Sequence, residues 1–159
     1  MMARLAVVLT LLLTLFFCTI TAAQDRDFGI GIIMGEPTGF SFKKWSSGTI
    51  AVDGAIGWSF GQESRLHLRG DYLVHNFDLF QVETDKVAPY YGVGGRIKIV
   101  GDETRIGVRF PLGINYIFQK VPLDIFVESA AVLDMGPRTR FEFNGAVGIR
   151  YSFLATYDE

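Results

Sequence analysis

From residue 49 onward the chain alternates bulky apolar residues with small or polar ones, in runs separated by turn-forming residues. In the run 49–60 the even positions are Ile50, Val52, Gly54, Ile56, Trp58 and Phe60. The odd positions are Thr49, Ala51, Asp53, Ala55, Gly57 and Ser59. A period of two sends successive side chains to opposite faces of an extended strand. No long stretch after residue 24 shows the three-and-four spacing of a helix. The alternation recurs in 65–75, 90–99, 105–118, 123–133 and 141–153, and two shorter runs, 28–34 and 39–45, bring the expected strand count to eight. Between them stand Gly35-Glu36-Pro37-Thr38, Ser46-Ser47-Gly48, Gly61-Gln62-Glu63, Gly101-Asp102-Glu103, 119–122 and Met135-Gly136-Pro137. Such short, turn-rich connections predict antiparallel neighbours in chain order, an all-β up-and-down meander.

The two faces differ sharply. One is apolar, with Lys44 near a strand end as its exception; the other carries Asp53, Arg65, His67, Arg69, Asp71, Arg96, Lys98, Arg105, Arg109, Asp124, Glu128, Glu142 and Arg150 among many Gly and Ala. Eight strands close around an interior just wide enough to be filled by side chains. Small residues interleaved with long charged ones suit that space. Turned toward hydrocarbon instead, each basic residue would cost ~2–4 kcal/mol near the midplane. The expected fold is therefore an eight-stranded antiparallel transmembrane β-barrel with a polar, charge-paired interior and an apolar face toward lipid. The reverse arrangement, a soluble periplasmic barrel holding an apolar ligand, is the alternative that interior polarity decides.

The aromatic residues sort toward the two ends of such a barrel. Trp58, Phe60, Phe40, Phe42, Phe141 and Phe143 are expected toward the outer end. Phe28, Tyr72, Tyr91, Tyr116, Phe118, Tyr151 and Phe153 are expected toward the periplasmic end. Rings of this kind prefer the lipid–water boundaries.

Composition changes the picture in three places. Arg4 followed by the apolar run 5–20 and by Thr21-Ala22-Ala23 reads as a signal peptide over residues 1–23, leaving 24–159 as one barrel domain in the outer membrane. Phe16-Phe17 before Cys18 do not fit lipoprotein processing, and removal of the leader leaves a chain without cysteine. A formal net charge of -2 and only 5 Lys among 159 residues give no basic patch for nucleic acid.

Candidate chemistry is sparse. His67, Asp71 and His75 share the polar face, but a filled interior of paired charges explains them with less than acid–base catalysis does. The many arginines facing carboxylates could line an ion path, yet eight strands are too few for an open pore. No catalytic, metal-binding or cofactor-binding residues are assigned. The turns at the outer end are short, which limits any adhesive surface there. A structural or surface-interaction role asks least of these residues, and a lipid-modifying enzyme is the alternative.

Several segments carry a resemblance to a known group: 31–39, 89–96 (Pro89-Tyr90-Tyr91-Gly92-Val93-Gly94-Gly95-Arg96), Arg109-Phe110-Pro111-Leu112-Gly113, Pro122-Leu123-Asp124-Ile125-Phe126 and the last run. With these the chain resembles small outer-membrane barrels of the OmpA-domain/OmpX type, closest to a family of uncharacterised outer-membrane β-barrel proteins. The resemblance implies a fold and a location, with membrane lipid as surroundings, and brings no activity. The final segment Gly148-Ile149-Arg150-Tyr151-Ser152-Phe153 resembles the signal read by the barrel-assembly machinery, although Ala146 and the six residues after Phe153 depart from it.

Two features sit awkwardly with this reading. Pro111 falls in mid-strand, where a local hydrogen bond is lost without a register slip. The longest connection, 76–87, falls on the periplasmic side, whereas such barrels usually have their longer loops outside.

Overall fold

The computed structural model describes residues 28–60, 64–81, 85–135 and 139–153, so the leader 1–23 lies outside the described residues. Among the described residues nine strands form: β1 (Phe28–Gly35), β2 (Gly39–Trp45), β3 (Ile50–Phe60), β4 (Ser64–His75), β5 (Phe80–Gln81), β6 (Lys86–Val100), β7 (Glu103–Ile117), β8 (Leu123–Met135) and β9 (Arg140–Phe153). All pairings are antiparallel between neighbours, β9 returns to β1, and β4 pairs with β6 to close the sheet. Eight strands therefore make the wall, as the alternation predicts. β5 is a two-residue extra that extends the wall past β4.

Following the register from Gly29 through Lys43, Asp53, Asp71, Gly94, Arg109, Val132 and Glu142 gives the stagger. Gly35 faces Ala146, so Glu142 stands level with the position four past Gly35 on β1, ten residues from the start. A stagger of this size in eight strands corresponds to a strand tilt of about 40°. We call the end bearing Phe28 and Phe153 proximal and the other distal.

Turn chemistry sets the hairpins. Gly101, at φ 57°, opens the two-residue loop between Val100 and Glu103, a position where a β-carbon is unfavourable. Gly35 ends β1 at φ 128°, and the Thr38 hydroxyl both accepts from its N–H (3.1 Å) and donates to its carbonyl (3.0 Å). This first hairpin is short. On one side of it β9 runs on through Arg140–Gly145, and on the other β3 runs on through Trp58–Phe60.

Both awkward features are accounted for. Around Pro111 the β6–β7 pairing is interrupted between Tyr91↔Leu112 and Gly94↔Arg109, and the register is the same on both sides. The hydrogen bond is lost and the strand does not slip. The long connection does lie proximally, but it is partly strand: Phe80 faces Val87 and Gln81 faces Lys86, while β6 begins at Lys86 because Ile117 and Tyr116 of β7 pair with it. Asp85 ties this segment to the β7–β8 turn by accepting from the Tyr116 hydroxyl (2.6 Å) and the Gln119 N–H (3.0 Å). Those two bonds hold its carboxyl below the usual carboxylate range.

The outer wall is apolar over most of its height: Ile32, Phe40, Val52, Tyr72, Val93, Phe110, Leu112, Val127, Val147 and Tyr151 are all exposed. Among the predicted aromatic positions, Trp58, Tyr72, Tyr91, Phe141, Phe143, Tyr151 and Phe153 are exposed on this wall. Tyr116 and Phe118 are half-buried against each other, edge to face at 4.8 Å. The side chain of Phe60 lies outside the described residues. Phe42 differs from expectation: its ring stacks on Phe28 at 6.5 Å, in the proximal half, because Phe42 pairs with Ile30 near the start of β1.

Candidate functional site: the buried charge network

The inward positions of each strand are those that the alternation assigns to the polar face, and the structure buries most of their charges. Lys43, Arg69, Arg96, Arg109 and Arg150 are the buried cations. Asp53, Asp71, Asp124, Glu128 and Asp134 are the buried carboxylates, five against five among the described residues. Charges removed from water must be matched and hydrogen-bonded to be tolerated. Here all of them but Lys43 are matched among the described residues, in three layers.

In the middle layer Glu128, from β8, accepts from Arg69 of β4, from Arg109 of β7 and from the Tyr90 hydroxyl of β6 (2.9 Å). Arg69 also lies 3.4 Å from Asp53 and 3.2 Å from Asp71, and Arg109 Nε lies 2.9 Å from Asp71. In the proximal layer Arg150 of β9 binds Asp53 and donates to Asp124 at 3.0 Å, with its guanidinium 4.0 Å from the Phe126 ring centre. In the distal layer Arg96 of β6 spans the bore to Asp134 (2.9 and 2.6 Å) and to Glu142 (2.7 Å). Arg105 joins Glu103 at 3.0 Å and approaches Glu142 at 3.9 Å. Lys98 meets Glu36 of the first turn at 3.2 Å.

Glycines on the inner face make room for the rings that complete the filling. A β-carbon at Gly148 would collide with the Phe126 ring, and one at Gly113 would collide with Tyr90. Both rings are buried. The bore is thus packed by side chains from every wall strand; β1 contributes Ile33, and its other inward positions are glycine.

Most of the predicted network comes together: Asp53, Arg69, Asp71, Arg96, Arg105, Arg109, Asp124, Glu128, Glu142 and Arg150 all form ion pairs. Arg65 forms no ion pair with the other described residues and is exposed at the distal rim. His67 is buried opposite Lys98 and beside Arg96, and takes no carboxylate among the described residues. His67, Asp71 and His75 do not form one constellation. Each is four residues from the next along a single strand, about 13 Å, and each meets different partners. His75 Nε2, at the proximal mouth, lies 2.8 Å from Lys43 Nζ.

Sequence reasoning overlooked two network members, Lys43 and Asp134. The outward parity of Phe40 and Phe42 places Lys43 inside, and Asp134 continues the series Asp124, Phe126, Glu128, Ala130 and Val132. The alternation puts Tyr90 and Phe126 on the inward face, with no signal that their rings fill the bore.

These features define a class: a closed eight-stranded antiparallel β-barrel with an apolar outer wall and a charge-paired core. That polarity is opposite to a barrel built to hold an apolar ligand inside. No protein-family model and no curated protein matches the chain. Among solved structures it is similar to the N-terminal β-barrel domain of Pseudomonas aeruginosa OprF, with a TM-score of 0.56 and 13% sequence identity over 80% of this chain and 96% of that one. At that identity the likeness is one of fold.

Proposed function

We propose that the chain is an outer-membrane β-barrel protein with a structural or surface-interaction role. In this reading residues 1–23 direct export and are removed, the C-terminal strand engages the barrel-assembly machinery, and the proximal end faces the periplasm. The observation that carries the proposal is the pairing of an apolar wall with an electrically balanced, filled core. In hydrocarbon every strand edge must be paired and every charge kept inward, and closure with inward charges meets both demands. The fold shared with the OprF domain supports the same reading. Because ion pairs occupy the bore in all three layers, joined by the Phe126 and Tyr90 rings in the proximal and middle ones, we assign the barrel no conductance.

The test is expression of the full-length chain in a Gram-negative host, membrane separation, and gel electrophoresis of the outer-membrane fraction with and without boiling. The expected result is an N-terminally trimmed protein in that fraction whose mobility changes on heating. Recovery as a soluble periplasmic protein without a heat shift refutes the proposal.

A further inference from the structure

One buried cation is held differently from the rest. Lys43, 1% exposed, forms no ion pair among the described residues. The carboxylates nearest it, Asp53 and Asp124, are both engaged by Arg150. Its Nζ lies 2.8 Å from His75 Nε2 and also stands over the Trp45 ring (4.3 Å to the centre) and the Tyr90 ring (5.7 Å). With the Asn115 amide turned to satisfy its neighbours, Oδ1 accepts from Lys43 at 3.2 Å and Nδ2 donates to Asp124 at 3.0 Å. A nitrogen–nitrogen hydrogen bond requires that one partner present a lone pair. Lys43 and His75 therefore cannot both be cationic while the bond exists.

The surroundings make this pair part of the proximal closure. The His75 ring packs 4.5 Å from Trp45, 5.1 Å from Tyr90 and 6.2 Å from Phe77, and Trp45 lies 5.9 Å from Phe77. Phe77 belongs to the connection beyond β4, and Lys86 Nζ sits 5.9 Å from its ring centre. The pair thus fastens the β2 end, the β4 end and this connection to one another. The titratable and charged groups facing it are Asp53 from β3, Asp71 from β4, Tyr90 and, over the Phe77 ring, Lys86 from β6, Asp124 and Glu128 from β8, and Arg150 from β9; at this level β1 contributes only glycines and β7 only Asn115 among the described residues. Every one of those carboxylates is already bound to an arginine. None is free to neutralise a second proton.

We propose that Lys43 and His75 hold one proton fewer than two cations would and act together as a proton-operated latch on the proximal mouth. A proton from solvent adds to His75 Nε2, the hydrogen bond to Lys43 breaks, and two adjacent cations push the Trp45–Phe77 closure apart. The middle and distal layers, which lack this pair, stay closed. This inference depends on the barrel and not on its location in the cell.

The protein supplies its own probe, since it has two tryptophans and only Trp45 touches His75. In a Trp58→Phe protein refolded in detergent, Trp45 emission is followed from pH 8 to pH 2, with acrylamide quenching at each end. The expected result is a one-proton step with greater acrylamide access on the acid side. That step is absent in Trp58→Phe/His75→Asn. In Trp58→Phe/Lys43→Met it moves to higher pH, because His75 then gains its proton without a neighbouring cation. An unboiled-gel shift retained at every pH shows that the barrel itself remains closed. A flat profile, a step that survives His75→Asn, or a midpoint unmoved by Lys43→Met overturns the latch.

Discussion

Glu128 is the carboxylate on which the middle layer converges, and Glu128→Gln is the most informative single change to the core. The substitution keeps the size of the side chain and removes its charge. It leaves Arg69, Arg109 and Tyr90, all donors, around an amide that offers one acceptor oxygen and two further donor hydrogens. Breaking a buried charge network by removing one partner costs about 3–5 kcal/mol. Native proteins are stable by roughly 5–15 kcal/mol in total, so about a fifth or more of the stability is at stake. Urea unfolding of the barrel refolded in lipid vesicles, read by loss of the unboiled gel band, measures this directly. The reasoning also fixes the sign of a second-site effect. Arg109→Met removes one of the now excess cations, leaving four buried cations against four buried carboxylates, while Asp71 keeps Arg69 at 3.2 Å. The double variant is therefore expected to lose less than the sum of the singles, by roughly 0.5–3 kcal/mol. Unfolding of Glu128→Gln at the wild-type urea concentration, or simple additivity in the double variant, refutes the account of the core as a balanced network.

Three further expectations concern the wall and its ends. Phe110→Arg, at the middle of β7 and outward, is expected to cost ~2–4 kcal/mol in vesicles, whereas Met135→Arg, at the distal end of β8, costs ~0–1 kcal/mol; equal losses in the same urea assay argue against a membrane-spanning wall. Gly148→Ala, whose methyl group collides with the buried Phe126 ring and with the Ile32 carbonyl, is expected to destabilise by about 1–3 kcal/mol and to be rescued only in part by Phe126→Leu; absence of any rescue places the strain at the backbone alone. The Asp85 carboxyl is held low by Tyr116 and Gln119, so its brace is complete above the ordinary carboxylate range and fails as pH falls through the lowered value. Protection of the Gln119 amide from hydrogen exchange, taken relative to the intrinsic rate at each pH, is expected to fall only at that acid end in the native protein and at all pH values in Asp85→Ala; unchanged protection in Asp85→Ala contradicts the brace.

The fold was readable because a barrel repeats one signal. Each run alternates with period two, so the face of Glu128 or Arg150 follows from its neighbours without knowledge of the closed structure. Even Pro111 was interpretable, since the apolar positions Phe110 and Leu112 keep their parity across it. What the alternation does not carry is the stagger between strands, and partners across the bore depend on it. Nothing local to Arg96 indicates that it reaches Asp134 and Glu142, or that Arg65 is exposed at the end of β4. Strand ends are the other blind spot. Lys43 sits in a short run where only two outward aromatics set the parity, and Asp134 sits where the last strand residues look like a turn. The connection at 76–87 reads as a loop because its two-residue strand is held by β6 rather than by its own composition.

The central claim is that the apolar wall faces lipid and the charges face inward. The two tryptophans test it most directly, because Trp58 is exposed on the wall while Trp45 lies against His75 at the mouth. In vesicles whose acyl chains carry bromine, Trp58 emission, measured in a Trp45→Phe protein, is expected to be strongly quenched and insensitive to aqueous iodide. Trp58 that is untouched by the bromines and quenched by iodide contradicts the account.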